Sequence, residues 1–144
     1  MNVKQISVFL DNRPGTILEM SKLFADKGVS VKALTVSDSN DFTVVRLIAN
    51  NVMWASSVLR DGGFITRIRE VVAAEVPSTP GGLNKVLEAI RDAGVNIEYS
   101  YTIMSGKFAS STCIVLKVSD NQKTEEALNA ANIKIMTQEE LSAL

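Results

Sequence analysis

The sequence predicts an α+β fold in which one βαββαβ unit occurs twice in tandem. The first observation is a repeat: Pro14-Gly15 recurs as Pro80-Gly81, and Gly28-Val29-Ser30-Val31 recurs as Gly94-Val95-Asn96-Ile97, both 66 residues later (80 − 14 and 94 − 28). The second is the hydrophobic pattern, which changes between strand and helical periods in the same order in both copies. The third is the composition of the 144 residues, 46% of which are hydrophobic, which is enough for a packed core.

The first copy begins with a strand, because Ile6, Val8 and Leu10 alternate with their neighbours. A helix follows, since apolar residues recur at helical spacing from Ile17 until Gly28 ends the pattern. The remaining predicted elements are two β-branched strands at residues 29–37 and 42–49 around a polar turn, a helix at 54–60 and a strand at 64–70.

The second copy repeats this order, with strands at residues 71–76, 95–104, 112–118 and 133–136 and helices at 83–93 and 123–130. The last strand of the first copy runs into the second copy at Glu70-Val71, so we predict domains at 1–70 and 71–144. Thr137-Gln138-Glu139-Glu140 fits a capping box and predicts a short terminal helix. An insertion at residues 105–111 is interpreted either as a flap over a neighbouring site or as an idle surface loop.

A βαββαβ unit closes as a four-stranded antiparallel sheet with both helices on one face, the ferredoxin-like arrangement. The third strand of the first copy is nevertheless apolar on both faces, with Val44 and Ile48 on one and Val45 and Leu47 on the other. Because no further element of the chain is predicted to cover the second face, we expect a homodimer packed through sheet faces. Tyr99 and Tyr101 are predicted to be core or interface aromatics.

Composition excludes several classes of function. The 15 Lys+Arg against 16 Asp+Glu give a net charge of −1, so we expect neither nucleic acid nor a membrane as a partner. Arg46, Arg60, Arg67 and Arg69 are predicted to form a solvated surface. No apolar run approaches the roughly 20 residues that span a bilayer, and no leader is evident, which predicts a cytoplasmic protein.

Catalytic and metal chemistry are also disfavoured. The chain has no histidine, and its single Cys113 is predicted to be a buried structural thiol, so we expect no metal and no cofactor. No nucleophile, base and orienting group cluster in the sequence, which argues against an enzyme. Arg13 and Gly15 only faintly match the phosphate-binding loop of small acyl-phosphate hydrolases, which remains the least favoured alternative.

The strongest local feature is the loop between the first strand and the first helix. Its candidate binding residues are Asp11, Asn12, Arg13, Pro14, Gly15, Thr16 and Ile17. A helix N-terminus offers unpaired N–H groups to a carboxylate, and Asp11 or the Asn12 amide oxygen can accept from an ammonium group, a combination that suits a free amino acid. The alternative is ordinary turn chemistry, with Thr16 and Glu19 forming a capping box.

The duplicated unit, Asn12-Arg13-Pro14-Gly15 before an apolar helix and Gly28-Val29-Ser30-Val31 after it closely resemble the ACT domain, a small regulatory module of amino-acid metabolism. The resemblance covers both copies. Residues 11–31 look most similar to the serine-sensing ACT domain of bacterial phosphoglycerate dehydrogenases. There an Asn-x-Pro-Gly loop and an asparagine opening the second strand of a neighbouring domain hold the amino acid together.

This resemblance implies a composite site, because each copy keeps one half of the asparagine pair. Asn12 lies in the first loop and Asn96 opens the second strand of the second copy, whereas Ser78 and Ser30 stand at the other two positions. Asn96 therefore joins the predicted ligand-binding residues, and the Ser78/Ser30 site is expected to be weakened or lost. The alternative is that Asn96 merely follows a glycine turn, a position that asparagine favours.

Together these features predict a stand-alone regulatory protein that binds a small ligand, a free amino acid, between ACT units. Because no catalytic or DNA-binding domain is attached to the predicted units, its output is expected to reach a regulated enzyme in trans or to change the assembly of the protein. The alternative is an adaptor that binds other proteins without a ligand.

Overall fold

The computed structural model describes residues 3–104 and 111–144. Its elements are β1 (Val3–Asp11), α1 (Thr16–Asp26), β2 (Val31–Ser39), β3 (Phe42–Ala49), α2 (Val52–Asp61), β4 (Ile65–Pro77), α3 (Gly82–Asp92), β5 (Ile97–Thr102), β6 (Ser111–Val118), α4 (Asn121–Ala130) and α5 (Gln138–Ser142). The two predicted βαββαβ units and their ferredoxin-like order are confirmed. The insertion interpreted as a flap or an idle loop falls almost entirely on residues 105–110, outside the described residues.

One antiparallel sheet connects the two units. In the described part of the chain, its six strands lie in the order β2-β3-β1-β4-β6-β5. The two strands predicted on either side of Glu70-Val71 form a single strand, β4, whose first half pairs with β1 and whose second half pairs with β6. The partner changes between Val71, which lies opposite Val3, and Val72, which lies opposite Leu116. The predicted domain boundary at residue 70 stays a prediction, next to this change of partner.

The end of the chain closes the second unit. The strand predicted at residues 133–136 is reduced to one bridge between Ile135 and Ala74, with the Met136 N–H donating to the Ala73 carbonyl at 2.8 Å. The capping box of α5 is confirmed, because the Thr137 hydroxyl accepts from the Glu140 N–H at 3.1 Å and the Thr137 N–H donates to the Glu140 carboxylate at 2.9 Å. The Thr137 N–H thereby lowers the pKa of Glu140.

Apolar side chains form three buried clusters. In the first unit, alternate residues of β1 and β3 such as Ile6 and Leu47 pack against α1 and α2. Leu116 and Leu128 lie in the matching cluster under α3 and α4 of the second unit. The third cluster lies between the two halves of the sheet, on the faces turned away from α1, α2, α3 and α4. It includes Leu141 of α5.

The third cluster shows that our sheet-face argument for a homodimer is wrong. Ile48 is fully buried, and the third cluster places it together with Cys113 and Val115 of the second unit. The second unit of the same chain therefore covers the apolar second face of β3. The two sheet edges also approach each other, since Ala33 of β2 forms an antiparallel bridge with Ile103. The homodimer itself stays a prediction and needs another surface.

We call β2, β3, β1 and the first half of β4 one half-sheet, and the second half of β4 with β6 and β5 the other. A polar network fixes one side of the space between the two half-sheets. Gln5 is fully buried on β1, donates to the Tyr99 hydroxyl at 2.8 Å and accepts from the Tyr101 hydroxyl at 2.8 Å. Both tyrosines thus contribute to the inter-sheet packing, as predicted. Burial, and then the neighbouring Tyr99, raise the pKa of Tyr101, so its hydroxyl remains a hydrogen-bond donor at neutral pH.

The thiol of Cys113 is expected to be unreactive in the native protein. Its side chain is fully buried, and burial, followed by the charges of Glu75 and Glu140, raises the pKa of Cys113 to about 12. We expect no reaction with a thiol-specific chromogenic disulfide at mildly alkaline pH, and one thiol per chain after denaturation. Rapid labelling of the native protein would contradict the buried position of β6.

Candidate functional site

The five helices of residues 3–104 and 111–144 fall into two groups by their N-terminal caps. Asn51, Asp120 and Thr137 each accept a hydrogen bond from a first-turn N–H of α2, α4 and α5. In contrast, α1 and α3 follow Gly15 and Gly81, whose φ angles of 89° and 86° lie in the left-handed region, and no described side chain caps either helix. The Pro-Gly loops of the repeat thus leave these two helix N-termini open.

The capping box considered for the first loop is therefore absent. The Thr16 hydroxyl donates instead to the Arg13 carbonyl at 3.3 Å. The Glu19 carboxylate accepts from both terminal nitrogens of the Arg13 guanidinium, each at 3.3 Å. Because Thr16 bonds to the Arg13 carbonyl and Glu19 to the Arg13 guanidinium, neither side chain occupies a first-turn N–H group, and the N-terminus of α1 keeps its partial positive charge available to a ligand.

A depression of about 490 Å³ lies in front of this N-terminus. It is lined by Asn12, Arg13, Pro14, Gly15, Thr16, Ile17, Leu18, Val36 and Thr43. The structure thus brings together all the predicted loop residues except Asp11, whose exposed side chain does not line the depression. Two apolar side chains are largely exposed at its wall, Leu18 at 57% and Val36 at 44%.

The end of the β2–β3 hairpin holds the Asn12 side chain in place. Asn12 Nδ2 donates to Asp38 Oδ1 at 3.2 Å, and the Thr43 hydroxyl donates to Asn12 Oδ1 at 3.4 Å. Sequence reasoning missed Asp38, Thr43, Val36 and Leu18. Thr43 could have been found from the pairing of β1 with β3, because this pairing sets Thr43 opposite Leu10 at the start of the loop. Asp38 places a carboxylate beside Asn12.

Asn96 lies elsewhere in the chain. It lines a separate depression with residues of α3 and the following turn, among them Leu87, Arg91 and Gly94, and its N–H donates to the Ser119 hydroxyl at 3.0 Å. The predicted pairing of Asn12 with Asn96 is therefore not formed as one depression within a single chain.

The second Pro-Gly loop differs from the first. Gly82 occupies the position that Thr16 holds in the first copy, and it is buried against the end of β4. A Cβ atom at Gly82 would lie 2.2 Å from the Pro77 carbonyl oxygen. The depression bordered by Pro77 and Gly82 holds about 200 Å³ and is also lined by Asn132 and Lys134. The two copies thus present unlike surroundings at their open helix ends.

The two βαββαβ units, each with a Pro-Gly loop before an open helix N-terminus, define a tandem of small α+β domains. The model of the ACT domain pair family matches residues 1–144. The chain belongs to this family. No curated protein matches the chain by sequence.

Solved structures extend the likeness. Protein BT0572 from Bacteroides thetaiotaomicron is 30% identical, with a TM-score of 0.92, and the match covers 100% of this chain and 98% of that one. The ligand-free regulatory subunit of aspartate kinase from Thermus thermophilus is 16% identical, with a TM-score of 0.65 and coverages of 89% and 91%. Aspartokinase III of E. coli, in complex with lysine and aspartate, is 14% identical, with a TM-score of 0.51 and coverages of 91% and 30%.

Within residues 3–104 and 111–144, no three His, Cys, Asp or Glu side chains are grouped so that they could hold a metal ion. None of the helices in the same ranges has the length and apolar character needed to cross a membrane.

Proposed function

We propose that this protein is a regulatory, non-catalytic ACT pair that binds a free amino acid at the β1–α1 loop of its first copy. The observation that carries the proposal is the open N-terminus of α1, which faces a depression lined by Asn12, and the Asn12 side chain donates to the Asp38 carboxylate at 3.2 Å. An open helix end beside a carboxylate offers complementary partners to the two charged groups that every free amino acid carries.

Each part of the ligand has a partner in this site. The ligand carboxylate accepts from first-turn N–H groups of α1, where Gly15 allows close approach to the main chain. The ammonium group donates to the Asp38 carboxylate and the Asn12 amide oxygen. The ligand side chain lies against Leu18 and Val36, which are apolar and exposed in the free protein.

Two structural neighbours support an amino acid as the ligand and regulation of an enzyme as the function. A neighbour in Thermus thermophilus is a regulatory subunit, and one in E. coli is described in complex with lysine and aspartate. We therefore include in the proposal a regulated enzyme in trans. The homodimer is part of it as well, because Asn12 and Asn96 line separate depressions of one chain and a composite site requires Asn96 from a second copy. Because residues 11–31 resemble the serine-sensing ACT domains, serine is the first amino acid to test, and the identity of the ligand is left to the screen.

A thermal-shift screen of the full chain against the twenty amino acids tests this proposal. A ligand that binds only the native state at one hundred times its Kd stabilises the protein by about 2.7 kcal/mol, which raises the melting temperature by roughly 5–10 °C. We expect one amino acid or a small related group to give such a shift. The D-enantiomer of the same amino acid is the matched control and is expected to give a smaller shift. If none of the twenty raises the melting temperature, the proposal is overturned in favour of a ligand-free adaptor.

A further inference from the structure

The space between the two half-sheets changes character along its length. One end is the buried apolar cluster, and the other is a cleft of about 210 Å³. We call it the arginine cleft, and the residues that matter for its chemistry are Arg46, Arg67, Arg69, Lys117, Glu98 and Tyr99. The predicted solvated surface is confirmed for Arg60, Arg67 and Arg69, which are exposed, whereas Arg46 is half-buried.

Strand register brings the arginines together. Ser7 of β1 lies opposite Arg46 of β3 on one side and opposite Arg67 of β4 on the other, so the three side chains form one row across the sheet. Arg69 follows Arg67 by two residues and therefore projects from the same face. Tyr99 and Lys117, which are cross-strand neighbours, face them from the second half-sheet.

The charges of the arginine cleft are not balanced. Its one carboxylate, Glu98, pairs with Lys117 at 2.7 Å. In the described parts of the chain, no carboxylate lies within 4.0 Å of the guanidinium groups of Arg46, Arg67 or Arg69. Three positive charges thus remain unpaired in one cleft of a protein whose net charge is −1.

The walls hold these groups in defined positions. Arg46 lies over the Tyr99 ring at 4.1 Å and donates to the Ser37 hydroxyl at 3.0 Å. Arg67 lies over the Phe9 ring at 5.8 Å. Tyr99 is held in turn by the buried Gln5. A guanidinium group carries five N–H donors, so contact with an aromatic ring and one hydrogen bond leave donors available to oxygen acceptors.

We propose that the arginine cleft binds a small oxyanion that carries at least two negative charges, and that Arg46, Arg67 and Arg69 donate hydrogen bonds to its oxygen atoms. Phosphate and carboxylate oxygens share the chemistry that planar guanidinium groups recognise in a bidentate manner. The site is separate from the amino-acid site, because Ser7 and Leu10 lie on opposite faces of β1, towards the cleft and towards the helices respectively. The protein thus has room for two ligands at once.

Isothermal titration of the full chain with pyrophosphate and, separately, with citrate tests the proposal. We expect saturable binding of at least one of them, weakened roughly tenfold or more in Arg67→Gln and in Arg69→Gln. Both arginines are exposed, so neither variant disturbs the buried core. Arg60→Gln, an equally exposed arginine at the end of α2, is the matched control and is expected to bind as the wild type does.

The outcomes separate the sources of the anion. Binding of pyrophosphate alone assigns the cleft to phosphate-bearing ligands, and binding of citrate alone assigns it to polycarboxylates. Absence of saturable heat with both at millimolar concentration, or equal affinity in Arg67→Gln and the wild type, overturns the proposal. The amino-acid shift of the thermal screen is expected to persist in Arg67→Gln, which distinguishes failure of this site from failure of the loop site.

Discussion

The Gly82→Ala variant is expected to be less stable than the wild type by about 3 kcal/mol, the cost of inserting a methyl group where the packing leaves no room. A Cβ at this position lies 2.2 Å from the Pro77 carbonyl oxygen, and backbone atoms cannot rotate away as a flexible side chain would. The end of β4 or the start of α3 must therefore shift. The measurement is the free energy of unfolding from urea denaturation.

Asn84→Ala is the matched control for this variant. Asn84 lies on the exposed face of α3, two residues further along, where alanine is a better helix former. We expect its free energy of unfolding to equal or slightly exceed that of the wild type. If Gly82→Ala unfolds within about 0.5 kcal/mol of the wild type, the tight contact between α3 and Pro77 is wrong.

Replacing Gln5 with leucine is expected to cost about 2–3 kcal/mol, although the substitution is apolar and the site is fully buried. Leucine cannot accept the bond that the Tyr101 hydroxyl donates to Gln5 at 2.8 Å, and Tyr101 has only 8% of its surface exposed. A buried donor without an acceptor loses its hydration with no compensation.

A double-mutant cycle isolates this contact. Tyr101→Phe removes the stranded hydroxyl, so the Gln5→Leu/Tyr101→Phe double variant is expected to be more stable than the sum of the single effects by about 1 kcal/mol. The free energies of unfolding of all four proteins supply the test. Strict additivity would show that Gln5 of β1 and Tyr101 of β5 do not share a buried hydrogen bond. That result would contradict the packing of the two half-sheets described above.

The order of elements could be predicted because its signals are local. Pro14-Gly15 and Pro80-Gly81 mark equivalent turns, and alternation around Ile6 marks a strand wherever it lies in space. The packing of the half-sheets could not be predicted in the same way. It depends on the change of strand partner between Val71 and Val72 of β4. The local pattern around Ile48 does not indicate whether the same chain or a second copy covers this residue.

The same contrast between local signals and tertiary contacts applies to the two proposed sites. The open end of α1 was predictable, since Gly15 and its loop are contiguous in sequence. Asp38 was not, because it reaches Asn12 only through the β2–β3 hairpin. The arginines could be seen to alternate at positions 67 and 69, but their alignment with Arg46 requires the register on both sides of Ser7.

The central claim is that the first Pro-Gly loop, and not the second, binds an amino acid. Isothermal titration of the amino acid selected by the thermal screen tests it most directly, using wild type, Asn12→Ala and Ser78→Ala, which alter equivalent positions of the two copies. The account predicts unchanged affinity in Ser78→Ala and a loss of roughly tenfold or more in Asn12→Ala, the effect of removing one hydrogen bond to a charged group. Full affinity in Asn12→Ala, or a loss confined to Ser78→Ala, would contradict it.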